Sequence, residues 1–247
     1  MPKYYIKRQD IRGQIISSPE NAHHIVRVLR MEPGEEAVFC DGEGTDYKTV
    51  LLSVSGPGEP EAFTAEIRET IPSAGEPETK ITLFQGLPKG DKMDLILEKG
   101  TELGISRFVP VLMERSVSRP DAKKLADKVA KWNKQVRSAA EQCGRGTIPV
   151  VEAATDLSGL LRKLPSFDLA IVFYEEHKEK SLKELLRKFP EARSVAVVIG
   201  PEGGLSPEEV AAMEEAGAVT CGLGSRILRT ETAGPAAAAM ILYEKEG

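Results

Sequence analysis

Hydrophobic and polar positions follow one pattern before about residue 72 and another after it. Before it, short turn-bounded stretches with partial period-two alternation predict strands: YYI at 4–6, EEAVFCDG at 35–42, DYKTVLLSVS at 46–55 and EAFTAEIRETI at 61–71. Turn chemistry separates them at Pro33-Gly34, at Asp41 to Gly44 and at Gly56-Pro57-Gly58. One helix is expected among them in SPENAHHIVRVLR, with Ser18 as N-cap, Pro19 at the first helical position and Ala22, Val26 and Leu29 on one face. Short strands with a single helix predict a small β-barrel.

The segment IPSAGEPETK at 71–80 holds two prolines, a glycine and charges without apolar periodicity, and reads as an interdomain linker. Beyond it strands alternate with helices. KITLFQGL, FVPVLME, LAIVFY, VAVVIG and AVTCGL read as strands, and VAVVIG is apolar throughout, as a strand covered on both faces should be. DKMDLILEKGTELG, a long stretch from about Asp121 to Gln142, SLKELLRKF, PEEVAAMEEAG and the Ala-rich segment near the end read as helices. On the long one, Leu125, Val129, Trp132, Val136 and Ala140 form one stripe. The expected organisation is a barrel over 1–72 and an α/β domain with a mostly parallel sheet over 73–247.

Composition narrows the classes. The chain of 247 residues is large enough for an unstapled core, and 41% hydrophobic with 29% charged residues is ordinary for a soluble globular protein. Cys40, Cys143 and Cys221 are far apart, with neither a disulfide framework nor zinc spacing, so no metal is expected. MPKYYIKRQD lacks the apolar core of a signal peptide, and no run approaches the ~18 apolar residues of a membrane span, so a cytoplasmic protein is expected.

In open α/β sheets, ligands bind beyond the carboxyl ends of strands. Three loops qualify: YEEHKEK, GPEGGLSPEE and GLGSRILRTETAGP. Ser206 and Glu209 form a capping box that explains the start of the following helix but not Gly200, Pro201, Glu202, Gly203 and Gly204. Those residues read either as a tight turn or as backbone that a ligand approaches closely. Phosphate does not fit: the Walker ending is missing, GLGSRI at 222–227 is half a dinucleotide fingerprint, and Glu202 would repel an anion. Backbone groups and apolar walls such as Ile227 and Leu228 suit a flat ring better. Arg229, Thr230 and Glu231 are then placed to meet a second, polar substrate, or they form an Arg–Glu pair that ties the loop down.

Net charge is −5, but it is unevenly spread. Residues 1–30 carry six Lys/Arg against two acids, and residues 115–145 carry nine against three. Such runs are solvated helix faces or phosphate contacts.

VVIGPEGGLSPEEV followed by LGSRILRTETAGPAA resembles the closing motifs of the SPOUT class of RNA methyltransferases. KGDKMDLILEKGTELGISRFVPVLMERSVSR, RSAAEQCGR and HHIVRVLRMEPGEEAVFCDGEG are similar to the ribosomal small-subunit RNA methyltransferase E family, so the resemblance spans nearly the whole chain. It implies S-adenosylmethionine as methyl donor and N3 of one specific uridine of 16S ribosomal RNA as acceptor; the assembled 30S subunit is the expected substrate, with naked RNA as the alternative the sequence leaves open. It also implies a PUA-like N-terminal barrel, a trefoil-knotted α/β domain and a homodimer. Carried to this chain, it places the cofactor against Phe173, Tyr174, Gly200, Glu202, Gly203, Gly204, Leu223, Gly224, Ile227 and Leu228. Arg229 is expected to stabilise charge on the uracil and Thr230 to orient it. Glu231 is the nearest candidate base, though one held against Arg229 would be weak. With an RNA substrate implied, Arg8, Arg12, Arg27, Arg30, Arg115 and Lys124 are expected to contact phosphate. His23 and His24 lack a third ligand for a metal. A binding module without chemistry would explain the basic runs but not the glycine loops, and a nucleotide-dependent transferase lacks its phosphate motifs.

Overall fold

The computed structural model describes residues 3–177 and 181–246. The chain divides into two compact units, Met1–Glu76 with Ala140–Ile148, and Pro77–Ala139 with Pro149–Gly247.

The first unit holds a six-stranded mixed sheet. Its strands are β1 (Lys3–Tyr5), β2 (Ile11–Arg12), β3 (Ile15–Ile16), β4 (Glu36–Cys40), β5 (Thr45–Val54) and β6 (Phe63–Pro72), in the order β1-β4-β5-β6-β3-β2. All neighbours are antiparallel except β1 with β4. Ile16, Ala37, Phe39, Leu51, Phe63 and Ala65 are buried on it, with Phe39 and Phe63 stacked at 5.5 Å. Ala22 and Ile25 close this core from α1 (Pro19–His23) and the π-helical turn His24–Val28 that follows. The expected regular helix is therefore shorter and changes pitch at His24. Ser18 has the extended backbone of an N-cap but makes no side-chain cap bond; Asn21 Nδ2 instead donates to Ser18 Oγ and to Tyr5 O. The β2–β3 hairpin, with two residues in each strand, carries too little alternation to be read from sequence.

The segment read as a linker is pinned. Glu76 pairs with Arg145 at 2.9 Å, and its Oε1 also accepts from the backbone N–H groups of Gly146 and Thr147. Ile71 and Pro72 remain in β6, and Lys80 already opens the next strand.

The second unit carries a seven-stranded, wholly parallel sheet in the order β10-β8-β7-β12-β11-β13, with β9 beside β8. Its strands are β7 (Lys80–Gly86), β8 (Arg107–Leu112), β9 (Val150–Val151), β10 (Thr155–Asp156), β11 (Leu169–Phe173), β12 (Ser194–Ile199) and β13 (Val219–Cys221). The helices are α2 (Lys92–Glu102), α3 (Ala122–Cys143), α4 (Leu157–Lys163), α5 (Leu182–Lys188), α6 (Pro207–Glu215) and α7 (Thr230–Glu246). Every residue of β11 is buried, and so are all but the first of β12. Alternate residues of these strands feed two separate cores: Val195 and Val197 join one with α2, α3 and α7, while Ala196 and Val198 join the other with α4 and α6. A strand buried on both faces needs this continuous apolar run. Helix α4 escapes the sequence reading because it is short; Asp156 caps it by accepting from Gly159 N at 2.8 Å. Within α7, Ala237 and Ala238 are fully buried against the core, so the alanine run serves close packing inside this unit.

No helix among the described residues is long and apolar enough to cross a membrane, and none of their His, Cys, Asp and Glu side chains form a cluster able to hold a metal.

Candidate active site

Strands β12, β11 and β13 are neighbours and parallel, so the loops leaving their carboxyl ends open on one edge of the sheet. Between these loops lies a cavity of about 410 Å3. It is lined from β11 by Phe173, Tyr174 and Glu175, from β12 by Ile199 to Leu205, and from β13 by Gly222 to Gly224 and Arg226 to Thr230. Lys92 from the start of α2 and Ala233 from α7 complete it. All ten predicted cofactor residues therefore meet in one cavity. Residues 178–180 of the YEEHKEK loop lie outside the described residues.

The β12 loop owes its shape to packing and to its cap. Ser206 Oγ accepts from Glu209 N, and Glu209 Oε2 accepts from Ser206 N at 2.9 Å, as the capping box predicts. Glu209 Oε1 then accepts from Glu114 N at 2.7 Å, which fixes this helix start to the segment after β8. A Cβ on Gly203 would stand 2.9 Å from Arg115 Cβ and 3.0 Å from Arg115 O, and Gly204 has a left-handed φ of +72°. The group that approaches Gly203 closely is thus the chain's own backbone at Arg115, and the turn at Gly204 demands the second glycine.

The walls are uneven in character. Phe173 and Tyr174 are buried, Leu228 packs on the core, and Ile227 is 76% exposed at the rim. Tyr174 is set edge-on to His177, which hydrogen-bonds Thr220 Oγ1 at 2.7 Å.

Arg229, Thr230 and Glu231 occupy three different environments. The Arg229 side chain is 85% exposed. Thr230 is buried, donates to Gly200 O at 2.7 Å and accepts from Gln85 Nε2 at 2.9 Å. Its hydroxyl joins the first turn of α7 to the glycine loop and is occupied by protein. Glu231 is 14% exposed, with Arg229 Nη1 at 4.0 Å and Lys92 Nζ at 3.5 Å. Lys92 also contacts Glu202 at 2.9 Å, and the backbone N–H of Lys89 donates to the same carboxylate. Burial alone would raise the Glu202 carboxyl, but Lys92 and the N–H groups outweigh it and hold its pKa below the ordinary value. Sequence reading missed both Lys92 and Gln85. Each sits on an element distant in the chain; Lys92 lies in the family stretch that begins at Lys89, but nothing in that stretch marks it as part of the cavity.

The cavity suits a ligand with a flat ring and a cationic centre. Its volume lies within the range of small-molecule sites of roughly 300–1,000 Å3, apolar side chains such as Phe173, Leu223 and Leu228 share its walls with polar groups, and three carboxylates, Glu175, Glu202 and Glu231, lie at it or border it.

The predicted RNA contacts are less uniform. Arg8, Arg12 and Arg30 are exposed and make no ion pair among the described residues. Arg27 is held by Glu61 at 3.0 Å, and His23 takes the other oxygen of that carboxylate. In the second unit, Arg115 lies beside Gly203 O at 3.4 Å, and Lys124 pairs with Asp121 at 3.2 Å while remaining 73% exposed. Leu125, Trp132 and Val136 of α3 are buried as the stripe predicts.

Comparison with known proteins agrees with this architecture. Residues 75–242 match the family model of an RNA methyltransferase domain, and residues 18–62 match that of an RNA methyltransferase PUA domain. The ribosomal RNA small subunit methyltransferase E of Bacillus subtilis is 37% identical, covering 100% of this chain and 98% of the relative. The protein of that name from Mycobacterium bovis is 33% identical over 87% of this chain and 80% of its own length. The crystal structure of a ribosomal RNA small subunit methyltransferase E from Neisseria gonorrhoeae, bound to S-adenosyl methionine, is 32% identical. It superposes with a TM-score of 0.80 over 98% of this chain and 97% of that one. By sequence along its whole length and by fold, this chain belongs to the ribosomal RNA small subunit methyltransferase E family.

Proposed function

We propose that the protein transfers a methyl group from S-adenosylmethionine to N3 of one uridine in 16S ribosomal RNA. The observation that carries this reading is the meeting of three sheet-edge loops around one cavity with Arg229 exposed at its rim. Relatives named for small-subunit ribosomal RNA methylation, one of them solved with S-adenosyl methionine, support the donor and the class of acceptor.

Phe173, Tyr174, Leu223, Ile227 and Leu228, with the backbone from Gly200 to Gly204 and at Gly224, would hold S-adenosylmethionine in this cavity. Bound S-adenosylmethionine supplies an electrophilic methyl group on a sulfonium that departs as a neutral thioether, so the protein's main task is to orient the partners. Uracil N3 carries a proton at neutral pH. Arg229 stabilises the negative charge that develops on the uracil oxygens as that proton leaves, and its position at the solvent-facing rim lets water carry the proton away. Thr230 fixes the backbone that carries Arg229 through its bonds to Gly200 and Gln85. Glu231 is the counter-charge of Lys92, with Arg229 at the edge of reach, and makes a poor base.

The family resemblance further supports a PUA-like RNA-binding barrel over 1–72, a knotted methyltransferase domain over 73–247 and a cytoplasmic homodimer acting on the assembled 30S subunit. Arg8, Arg12 and Arg30 offer it exposed cations; Arg27 must first leave Glu61. Arg115 and Lys124 add phosphate contacts near the second unit's site and on α3.

The test is methyl transfer from labelled S-adenosylmethionine to 30S subunits lacking the modification, with naked 16S RNA alongside. Label in 3-methyluridine is the expected result. Cofactor binding with label in another nucleoside would overturn the target, and no cofactor binding would overturn the enzyme.

A further inference from the structure

Lys92 opens α2 and reaches into the cavity, yet the reaction as described gives it no part. Its ammonium lies 2.9 Å from Glu202 Oε1 and 3.5 Å from Glu231 Oε2. One cation therefore joins the loop after β12, through Glu202, to the first turn of α7, through Glu231, which follows directly on Arg229 and Thr230. The carboxylates it holds are well shielded, with side chains 19% and 14% exposed.

Glu231 has a second cation in reach. Arg229 Nη1 stands 4.0 Å from its Oε1, while the Arg229 side chain is otherwise 85% exposed. Two cations thus compete for one carboxylate. The Lys92 contact is the shorter and the less exposed, and water and salt screen the Arg229 contact more. Glu231 Oε2 is buried without a hydrogen bond, so the carboxylate has capacity for a closer partner. A guanidinium is well shaped to supply one, because it binds a carboxylate through two parallel N–H groups.

We propose that Lys92 is a positioning residue that occupies Glu231 so that Arg229 stays disengaged and free to meet the RNA substrate. Without Lys92, Glu231 is left with Arg229 as its near cation, and the guanidinium folds inward onto it. The charge meant for the uracil is then neutralised inside the protein. The inference rests on the reading of Arg229 as the group that meets the uracil.

The test uses the full-length protein as Lys92→Met, Glu231→Gln, the double variant and Lys92→Arg. The first readout needs no catalysis: the rate at which phenylglyoxal modifies Arg229, followed by mass spectrometry of its peptide. Lys92→Met should slow this rate, Glu231→Gln should not, and the double variant should return it to the wild-type value. The second readout is kcat and KM for methyl transfer to unmodified 30S subunits. Lys92→Met should lower kcat by about tenfold, within the coupling expected of neighbouring charged groups, and by no more than about threefold in the Glu231→Gln background. Lys92→Arg should retain most of the wild-type kcat. Unchanged Arg229 reactivity in Lys92→Met overturns the inference, as does an equal loss of kcat in both backgrounds. Full turnover in Arg229→Ala, with the reactivity pattern still as expected, would instead overturn the role given to Arg229 while leaving the Lys92 contact intact.

Discussion

Glu76→Gln should loosen the first unit at one place, by a calculable amount. In the native protein Glu76 Oε2 accepts from Arg145 Nη2 at 2.9 Å, and Oε1 accepts from Arg145 Nε at 3.3 Å, Gly146 N at 2.9 Å and Thr147 N at 3.1 Å. The two side chains are only 11% and 6% exposed. The Arg145 carbonyl in turn accepts from Tyr5 Oη at 2.7 Å, so the clasp reaches β1. Glutamine keeps an oxygen for the two backbone N–H groups but presents an NH2 to a guanidinium, and the charge-assisted bonds between the two side chains are lost. Hydrogen bonds to charged groups contribute about 1.5–3 kcal/mol each, and losing those between Glu76 and Arg145 while the backbone bonds stay places this change near 3 kcal/mol. Because the chain has two units, a single melting midpoint is a poor measure. Hydrogen exchange by peptide is better: an opening free energy lower by about 3 kcal/mol accelerates exchange at residues 144–148 by about a hundredfold. Glu69→Gln serves as the control. It breaks the Lys48 pair, whose side chains are 52% and 56% exposed, and should cost under about 1 kcal/mol. The pH dependence carries a sign. Burial alone would raise the Glu76 carboxyl, but Arg145 and the two N–H groups outweigh it, and its pKa is lowered on folding. Its contribution is therefore complete above the ordinary glutamate value of about 4.3 and is lost as pH falls through the folded value; Glu76→Gln should flatten that part of the acid unfolding curve. Exchange at 144–148 that rises by less than about tenfold, or no more than in the control, would refute the argument that this clasp holds the unit.

Other outcomes follow from the site. Arg229→Ala should reduce kcat for methyl transfer by roughly 10²–10³, as loss of one charge-stabilising donor does, while calorimetry shows cofactor affinity within a few-fold of wild type. Gly203→Ala should weaken S-adenosylmethionine binding by about tenfold, because the new Cβ would stand 2.9 Å from Arg115 Cβ and 3.0 Å from Arg115 O and the loop has to shift; unchanged affinity would show that the loop position does not matter. Replacing Arg8 and Arg12 together by alanine should lower the slope of log affinity for ribosomal RNA against log salt by about 0.7 per lost contact, measured by filter binding across a salt series, with little change in cofactor affinity.

What the sequence determined by itself is what neighbours within a few residues decide. The continuous apolar run of β12 has to be a doubly covered strand, Ser206 and Glu209 have to cap α6, and the stripe from Leu125 to Val136 has to face a core. Parallel strands then put their following loops on one edge, which is why the three loops around the cavity are legible in the chain itself, while the family resemblance picked out the individual cofactor residues among them. Tertiary structure alone decided the rest. Gly203 has the look of a place for a ligand to approach, and the approaching group is Arg115, 88 positions away. The segment around Glu76 has the composition of a linker, yet Arg145, 69 positions away, pins it and brings Ala140–Ile148 into the first unit. Glu202 and Glu231 stand out in their separate loops and Lys92 lies in neither, and only the packing of α2 and α7 and the loop after β12 makes the three one cluster. Periodicity, caps and turns are local energies and leave local marks. The pairing of buried charges across such distances depends on which elements the hydrophobic cores bring together, and no short stretch of the chain records that.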